Sequence, residues 1–350
     1  MAGDAMRAGL SAVTSGLAVT AVLVCGTAAC GHEDDRVVWG HGGDGGGATG
    51  GVVTVDPEPS GATGLRRALA HVRTSPATRL GFEYGSALRA PIDPRADLTP
   101  YGYGELGVLG RRLAAPLGFS ASGAATAFTA GTGATAAGGL LGHWNPGTVR
   151  ARLTALGARV SPGHPVTRYA LPHNAEFPLG SGTSTASPRP VTLPPVLRYI
   201  GVSSGLVAYG GNPGALADVT EAHADTLART SPFRELSACL GDVRAAIITP
   251  GRIPYAAGTR VRDGHATNVL CALPARDVRA AALARGIRAR AATFTVTDGD
   301  DVRPLPASTR IEVIRGPGHP VRVRVDDAHV NGDAFLRCAT DGDLMTLVGG

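Results

Sequence analysis

Apolar positions along this chain fall into three regimes. Between Leu10 and Val24 they run on with only small Ser, Thr and Gly between them, and from Gly40 to Gly51 they vanish into a Gly-dense stretch. From about Ala62 onward they recur with the spacings of helices and strands. Leu65, Leu69 and Val72 have helical spacing, Thr78 to Tyr84 reads as a strand, and Leu106 to Leu117 reads as a helix. The Gly/Ala/Thr stretch from Ser120 to Gly139 carries no period, and Leu140-Leu141 suggests a strand end. Asn145-Pro146-Gly147 opens a helix with Val149, Leu153 and Leu156 on one face and Gly157 as its stop. Ala158 to Leu171 reads as a hairpin about Ser161-Pro162-Gly163. Gly180 to Pro195, rich in Ser, Thr, Pro and Gly, reads as an internal linker.

Beyond that linker, Val196 to Ile200 and Leu206 to Tyr209 read as strands joined at Ser203-Ser204-Gly205. Asn212-Pro213-Gly214 opens a helix with Leu216, Val219 and Leu227 on one side. Ser231-Pro232 opens another, with Phe233, Leu236 and Leu240 inward and Gly241 as its stop. Val243 to Ile248, Val269 to Leu273, Phe294 to Thr297, Ile311 to Ile314 and Val321 to Val325 are strands by alternation and β-branching. Asp277 to Arg285 and Ala334 to Arg337 read as helical, and Leu344 to Val348 as a closing strand. Gly139-Leu140-Leu141 before one Asn-Pro-Gly and Gly205-Leu206-Val207 before the other echo each other at a period of about 66 residues. A duplicated strand–turn–helix unit and a recurring helix-start signal explain that echo equally well. Strands outnumber helices and do not alternate strictly with them. The class expected is α+β, mostly antiparallel, with packed helices and two possible related subdomains.

Composition narrows the chemistry. The 350 residues include 50 Gly and 25 Pro, together about a fifth of the chain against an average near ~12%. Loops are therefore abundant, but 43% apolar residues leave enough for a core. There is no lysine, so all 33 basic residues are Arg. A Walker A loop, a lysine Schiff base and a Ser-Lys dyad are excluded, since each needs an amine. The net charge of +5 comes from arginines spread in ones and twos, without the basic stripe that nucleic-acid binding requires.

The N-terminus reads as a secretory signal: Arg7, then an apolar run, then small residues. That run is too short for a ~20-residue spanning helix. Asp4 is unusual there, and Met6-Arg7 would make a better start than Met1. Thr27-Ala28-Ala29-Cys30 resembles the bacterial lipobox, in which the cysteine is lipidated and becomes the first residue. The rival, Cys25, follows Val22-Leu23-Val24, and bulky Val beside the cut fits less well. The expected organisation is signal peptide 1–29, Gly-rich flexible tether 30–61, and α+β subdomains 62–185 and 186–350. The protein would sit on the outer face of the cell membrane, held through its lipid anchor. The acidic His32-Glu33-Asp34-Asp35 reads as solvated spacer rather than a metal site.

The order of elements and the segment Leu227-Ala-Arg-Thr-Ser-Pro-Phe-Arg-Glu-Leu-Ser-Ala-Cys-Leu-Gly-Asp242 resemble a group of uncharacterised lipoproteins of high-GC Gram-positive bacteria. That group has no assigned reaction, so the resemblance implies no catalytic residues.

Gly201-Val202-Ser203-Ser204-Gly205 matches G-x-S-x-G, the nucleophile elbow of serine hydrolases, with Asp218, Asp242, His265 and His319 downstream. The strand expected at Leu206 to Tyr209 makes this a hairpin turn instead of a strand-to-helix elbow. The ten histidines form no metal-ligand spacing, and no Gly-rich phosphate loop is present, so no cofactor or metal is expected. Asp298-Gly299-Asp300-Asp301 and Asp341-Gly342-Asp343 read as hairpin turns before calcium loops. The leading function is a noncatalytic binding module for an envelope protein, a cell-wall component or a small ligand. The alternative is a cell-envelope serine hydrolase using Ser203. In an exported chain, Cys239, Cys271 and Cys338 are pairing candidates. Cys239–Cys271 is the bond expected, with Cys338 left over; 271–338 is the rival bond, and three reduced cysteines the bland alternative.

Overall fold

The computed structural model describes residues 52–56, 63–86, 98, 101–104, 106–107, 113–163, 165–173, 175–178, 190–275, 278–298, 301–326 and 330–349. Cys25, Cys30, His32 to Asp35 and the glycines from 40 to 51 lie outside them. The strands are β1 (Val53–Val55), β2 (Phe82–Ser86), β3 (Ala124–Ala130), β4 (Ala137–Gly142), β5 (Arg159–Ser161), β6 (Thr167–Ala170), β7 (Glu176–Pro178), β8 (Pro190–Thr192) and β9 (Tyr199–Val202). They continue with β10 (Leu206–Gly210), β11 (Ala245–Thr249), β12 (Tyr255–Arg262), β13 (His265–Ala272), β14 (Thr295–Asp298), β15 (Asp301–Pro304), β16 (Arg310–Ile314) and β17 (Val321–Val325). Thirteen of them form one sheet in the order β1-β16-β17-β13-β12-β11-β2-β3-β4-β10-β9-β6-β5, while β7–β8 and β14–β15 are separate ribbons. Every neighbour in the large sheet is antiparallel except β1, which pairs in parallel with β16. This is the α+β, mostly antiparallel class expected.

Helices cover both faces of the sheet. They are α1 (Gly64–Ala70), α2 (Ala114–Leu117), α3 (Pro146–Ala155), α4 (Pro213–Thr220), α5 (Phe233–Leu240), α6 (Ala280–Ala291), α7 (Ala334–Asp341) and α8 (Leu344–Val348). On one face, Leu65, Leu69, Leu216 and Leu236 of α1, α4 and α5 pack on Phe82, Phe128, Ile248 and Val269. The other face carries two cores. Leu117, Val149 and Leu153 meet Leu140, Ile200 and Val207 in one; Leu283, Ile287, Phe335 and Leu347 meet Tyr255, Leu270 and Val323 in the other. The stretches 62–185 and 186–350 share the sheet: β10 and β9 lie between β4 and β6, and β2 lies against β11. Residues 50–350 form a single unit. The two Asn-Pro-Gly helices do follow neighbouring strands, with Asn145 Oδ1 accepting from the Gly147 and Thr148 N–H groups and Asn212 Oδ1 from that of Ala215. They pack on opposite faces of the sheet.

Several local expectations change. The unperiodic stretch 120–139 supplies β3 and most of β4, where a Cβ on Gly138 would overlap the Tyr209 ring and one on Gly139 the Phe128 ring. Each glycine lies directly across from that aromatic in the register, so a neighbouring ring covers the bare backbone. Thr78–Leu80 is a 3-10 turn, held by Thr78 Oγ1 accepting from Ser75 N–H at 2.8 Å; the strand starts only at Phe82. Pro195–Leu197 is likewise a 3-10 turn ahead of β9. The linker expected over 180–195 includes strand β8 and the buried Leu193. Val53 to Val55, expected in the tether, add a strand to the sheet edge, as β-branched residues favour. The small-residue strand β12 had no pattern to announce it. Leu344–Val348 is helical instead of a strand: Leu344, Leu347 and Val348 are buried at i, i+3, i+4 spacing while Met345 is exposed. Gly342, at φ 85°, ends α7 and allows α8 to follow, so Asp341-Gly342-Asp343 joins two helices and is not a hairpin turn. Asp298 and Asp301 do pair across the β14–β15 hairpin.

Candidate functional site

β2 is the central strand of the sheet, and its alternation positions the site. Phe82 and Tyr84 face the α1 side and are buried, so Glu83 and Gly85 face the other side. There the loop 101–104 lies across the strand. Tyr101 enters the core beneath α6 to α8 and Tyr103 enters the core beneath α2 and α3, so this loop ties the two cores together. Its approach requires glycine on both sides. A Cβ on Gly85 would overlap the Tyr101 carbonyl oxygen, and one on Gly102, whose φ is +86°, would overlap the Gly85 nitrogen. Gly102 N–H donates to Glu83 Oε1 at 2.6 Å. Thr129 Oγ1 donates to the Gly102 carbonyl at 3.2 Å and meets the Tyr209 hydroxyl at 3.0 Å.

Over Glu83 opens a cavity of about 420 Å³ lined by Glu83, Tyr101, Arg337, Thr340 and Asp341. Its far wall is α7, where Arg337 Nε donates to Asp333 Oδ2 at 2.8 Å. That bond holds the guanidinium stem by an i,i+4 pair. The described lining thus offers two carboxylates, a phenol, a guanidinium and a hydroxyl, which are recognition groups. No histidine or cysteine is among them.

Burial raises the Glu83 carboxyl above its ordinary range, against the Gly102 and Gly104 backbone donors, which lower it. A folded-state pKa above the unfolded one means that stability is complete below the unfolded pKa and is lost as pH rises through the folded one. Glu83→Gln retains an acceptor for Gly102 N–H but cannot ionise. The unfolding free energy of the wild type, relative to that variant, is therefore expected to fall as pH rises from below about 4 toward neutrality. Urea titrations of both proteins across that range check it, and a difference independent of pH would contradict it.

Ser203 lies in the β9–β10 turn. Its Oγ accepts from Leu206 N–H at 3.1 Å, and its own N–H donates to the Leu206 carbonyl at 2.8 Å. A strand follows it, as its hairpin reading requires. His265 opens β13 and His319 precedes β17, six and seven positions from β10 in the strand order, or roughly 30 Å at ~4.8 Å per strand. Asp218 is buried on α4 with Arg73 Nη1 at 4.0 Å. The structure does not bring either histidine to Ser203.

Cys239 on α5 and Cys271 on β13 are joined in a disulfide across the α1-side core. Arg260 donates from Nε to the Leu240 carbonyl at 2.8 Å and from Nη2 to that of Cys239 at 3.4 Å, closing the end of α5 beside the bond. Cys338 is free and buried, and burial with Asp343 nearby pushes its thiol up to about 11. Among the described residues no cluster of three metal-ligating side chains occurs, and no helix is long and apolar enough to cross a membrane.

Glu83 escaped the sequence reading because a single acid within Gly81-Phe-Glu-Tyr-Gly85 resembles any solvent-facing strand position. The legible signal was the pair of flanking glycines beside two buried aromatics, a mark of close backbone approach.

No protein-family model matches the sequence, and no curated protein matches it. Among solved structures, crystal form I of TP0453 overlaps with a TM-score of 0.39 at 9% identity, covering 78% of this chain and 96% of that one. Crystal form III of TP0453 overlaps with a TM-score of 0.38 at 10% identity, covering 82% and 99%. Overlap this coarse assigns neither a family nor a function.

Proposed function

We propose that the mature protein is held by lipid at Cys30 on the outer face of the cell membrane and acts there as a noncatalytic binding module of the envelope. The observation that carries this reading is the buried Cys239–Cys271 bond. Disulfides persist in oxidising, extracytoplasmic compartments, which agrees with the secretory pattern that ends at Thr27-Ala28-Ala29-Cys30. The Glu83 cavity is the binding site of this reading, taking a polar small molecule or cell-wall fragment rich in hydrogen-bond donors. Recognition in place of turnover is supported by its lining and by a Ser203 hydroxyl that accepts a hydrogen bond within its own turn.

Two measurements test it together. Cys30→Ser is expected to move the protein from the detergent phase to the aqueous phase on phase partitioning, because the acyl chains supply the membrane affinity. A fluorophosphonate probe is expected to leave Ser203 unlabelled. A Cys30→Ser protein that still enters detergent sinks the anchor. Labelling that disappears in Ser203→Ala makes the protein a hydrolase.

A further inference from the structure

A second recess lies on the sheet face covered by α6 to α8 and shares no lining residue with the Glu83 cavity. It measures about 370 Å³, and its lining includes Ile253, Val278, Leu283 and Val348 together with Arg252 and Arg290. Ala282, Gly286 and Arg290 follow one another at i+4 along α6, so one small-residue face of that helix forms a wall. The Arg290 guanidinium is folded between two glycines. A Cβ on Gly286 would stand 3.2 Å from both Nη atoms, and one on Gly349 would stand 2.9 Å from Nη2.

The described hydrogen-bond partners of the two guanidiniums are backbone carbonyls. Arg290 Nε donates to the Leu347 carbonyl at 2.8 Å, and Arg252 Nη2 donates to the Gly349 carbonyl at 3.2 Å. Neither forms an ion pair among the described residues. Each guanidinium carries five N–H donors, so most of its hydrogen-bonding capacity is left for an anion. Two positive charges with no acidic partner among the described residues, beside four aliphatic side chains, suit an amphiphile with a negative head. The volume is at the small end of the ~300–1,000 Å³ range of ligand pockets, enough for one acyl chain and too little for a two-chain phospholipid.

We propose that this recess binds a single-chain, carboxylate-headed acyl ligand. The head lies on Arg252 and Arg290, and the chain lies along Ile253, Val278, Leu283 and Val348. The site is independent of both Cys30 and the Glu83 cavity.

Isothermal titration of monomeric dodecanoate into the full-length Cys30→Ser protein tests it without a competing protein-bound acyl chain. One saturable site is expected, and dodecyltrimethylammonium should not fill it. Arg290→Gln and Arg252→Gln are each expected to weaken dodecanoate binding about 10-fold, the loss of a charge-assisted hydrogen bond. Val278→Asp places a repelling acid on a residue already 37% exposed, so it should abolish binding and leave the circular dichroism spectrum unchanged. Glu83→Gln should bind dodecanoate like the wild type, which separates this site from the cavity above β2. Equal binding of the cationic amphiphile, or unchanged affinity in the arginine and Val278 variants, overturns the proposal. So does binding to anionic vesicles with none to monomeric dodecanoate, which would make the recess a bilayer contact.

Discussion

Replacing Cys239 and Cys271 together by alanine is expected to lower the unfolding free energy by about 3–4 kcal/mol. The bond closes a separation of 32 residues, and in the chain-entropy model its removal returns that loop's freedom to the unfolded state. It also ties α5, on the α1 side, to β13, an interior strand of the sheet, so its loss frees both elements of the same core. Alanine is chosen because both positions are buried and a serine hydroxyl would need a partner there. Urea denaturation of the oxidised wild type and the double variant measures the effect. A change below about 1 kcal/mol would be too small for a loop of this length. Alkylation of the unfolded, unreduced protein is expected to modify Cys338 alone among the three body cysteines, since burial of the free thiol no longer protects it.

Gly85→Ala is expected to destabilise the protein by about 3 kcal/mol or more. Its methyl group would overlap the Tyr101 carbonyl oxygen, and its neighbour Gly102 is already held at a positive φ of 86°. A backbone carbonyl cannot swing aside as a side-chain tip can. The loop 101–104 must instead lift off β2, taking Tyr101 and Tyr103 from two cores and breaking the Gly102–Glu83 hydrogen bond. By contrast, a methyl group on Gly133 would meet nothing within 4 Å, and the backbone there has a φ of 57°. Gly133→Ala should therefore show only the smaller penalty of the left-handed backbone. Parallel urea titrations compare the two, and a Gly85→Ala protein as stable as Gly133→Ala would contradict the close approach.

The parts of the fold that were legible in sequence are those in which one residue type has one local use. Asn145 and Asn212 before Pro-Gly cap helices, Gly157 and Gly241 stop them, and β-branched runs such as Val321–Val325 make strands. The disulfide was legible because three body cysteines, behind a segment that reads as a secretory signal, leave few pairings. What stayed hidden depends on partners distant in sequence. Gly138 and Gly139 are strand residues because Tyr209 and Phe128 lie across from them, and no window around residue 138 contains Tyr209. β12 is rich in Ala and Gly because it lies deep in the sheet, with Ala256 and Ala257 fully buried on its two faces. Leu344–Val348 is too short an apolar run to choose between strand and helix by itself; burial on one side decides. The Glu83 cavity was hidden for the same reason, since Glu83, Tyr101 and Arg337 meet only once the sheet and α7 are assembled.

Anchoring of an exported, disulfide-locked body through Cys30, as proposed above, fixes the first residue of the mature chain. The mass of the N-terminal peptide from protein extracted from membranes tests it most directly. The expected peptide begins at Cys30 and carries the added mass of a diacylglyceryl group. A peptide that begins elsewhere, or a Cys30 with an unmodified thiol, would contradict it.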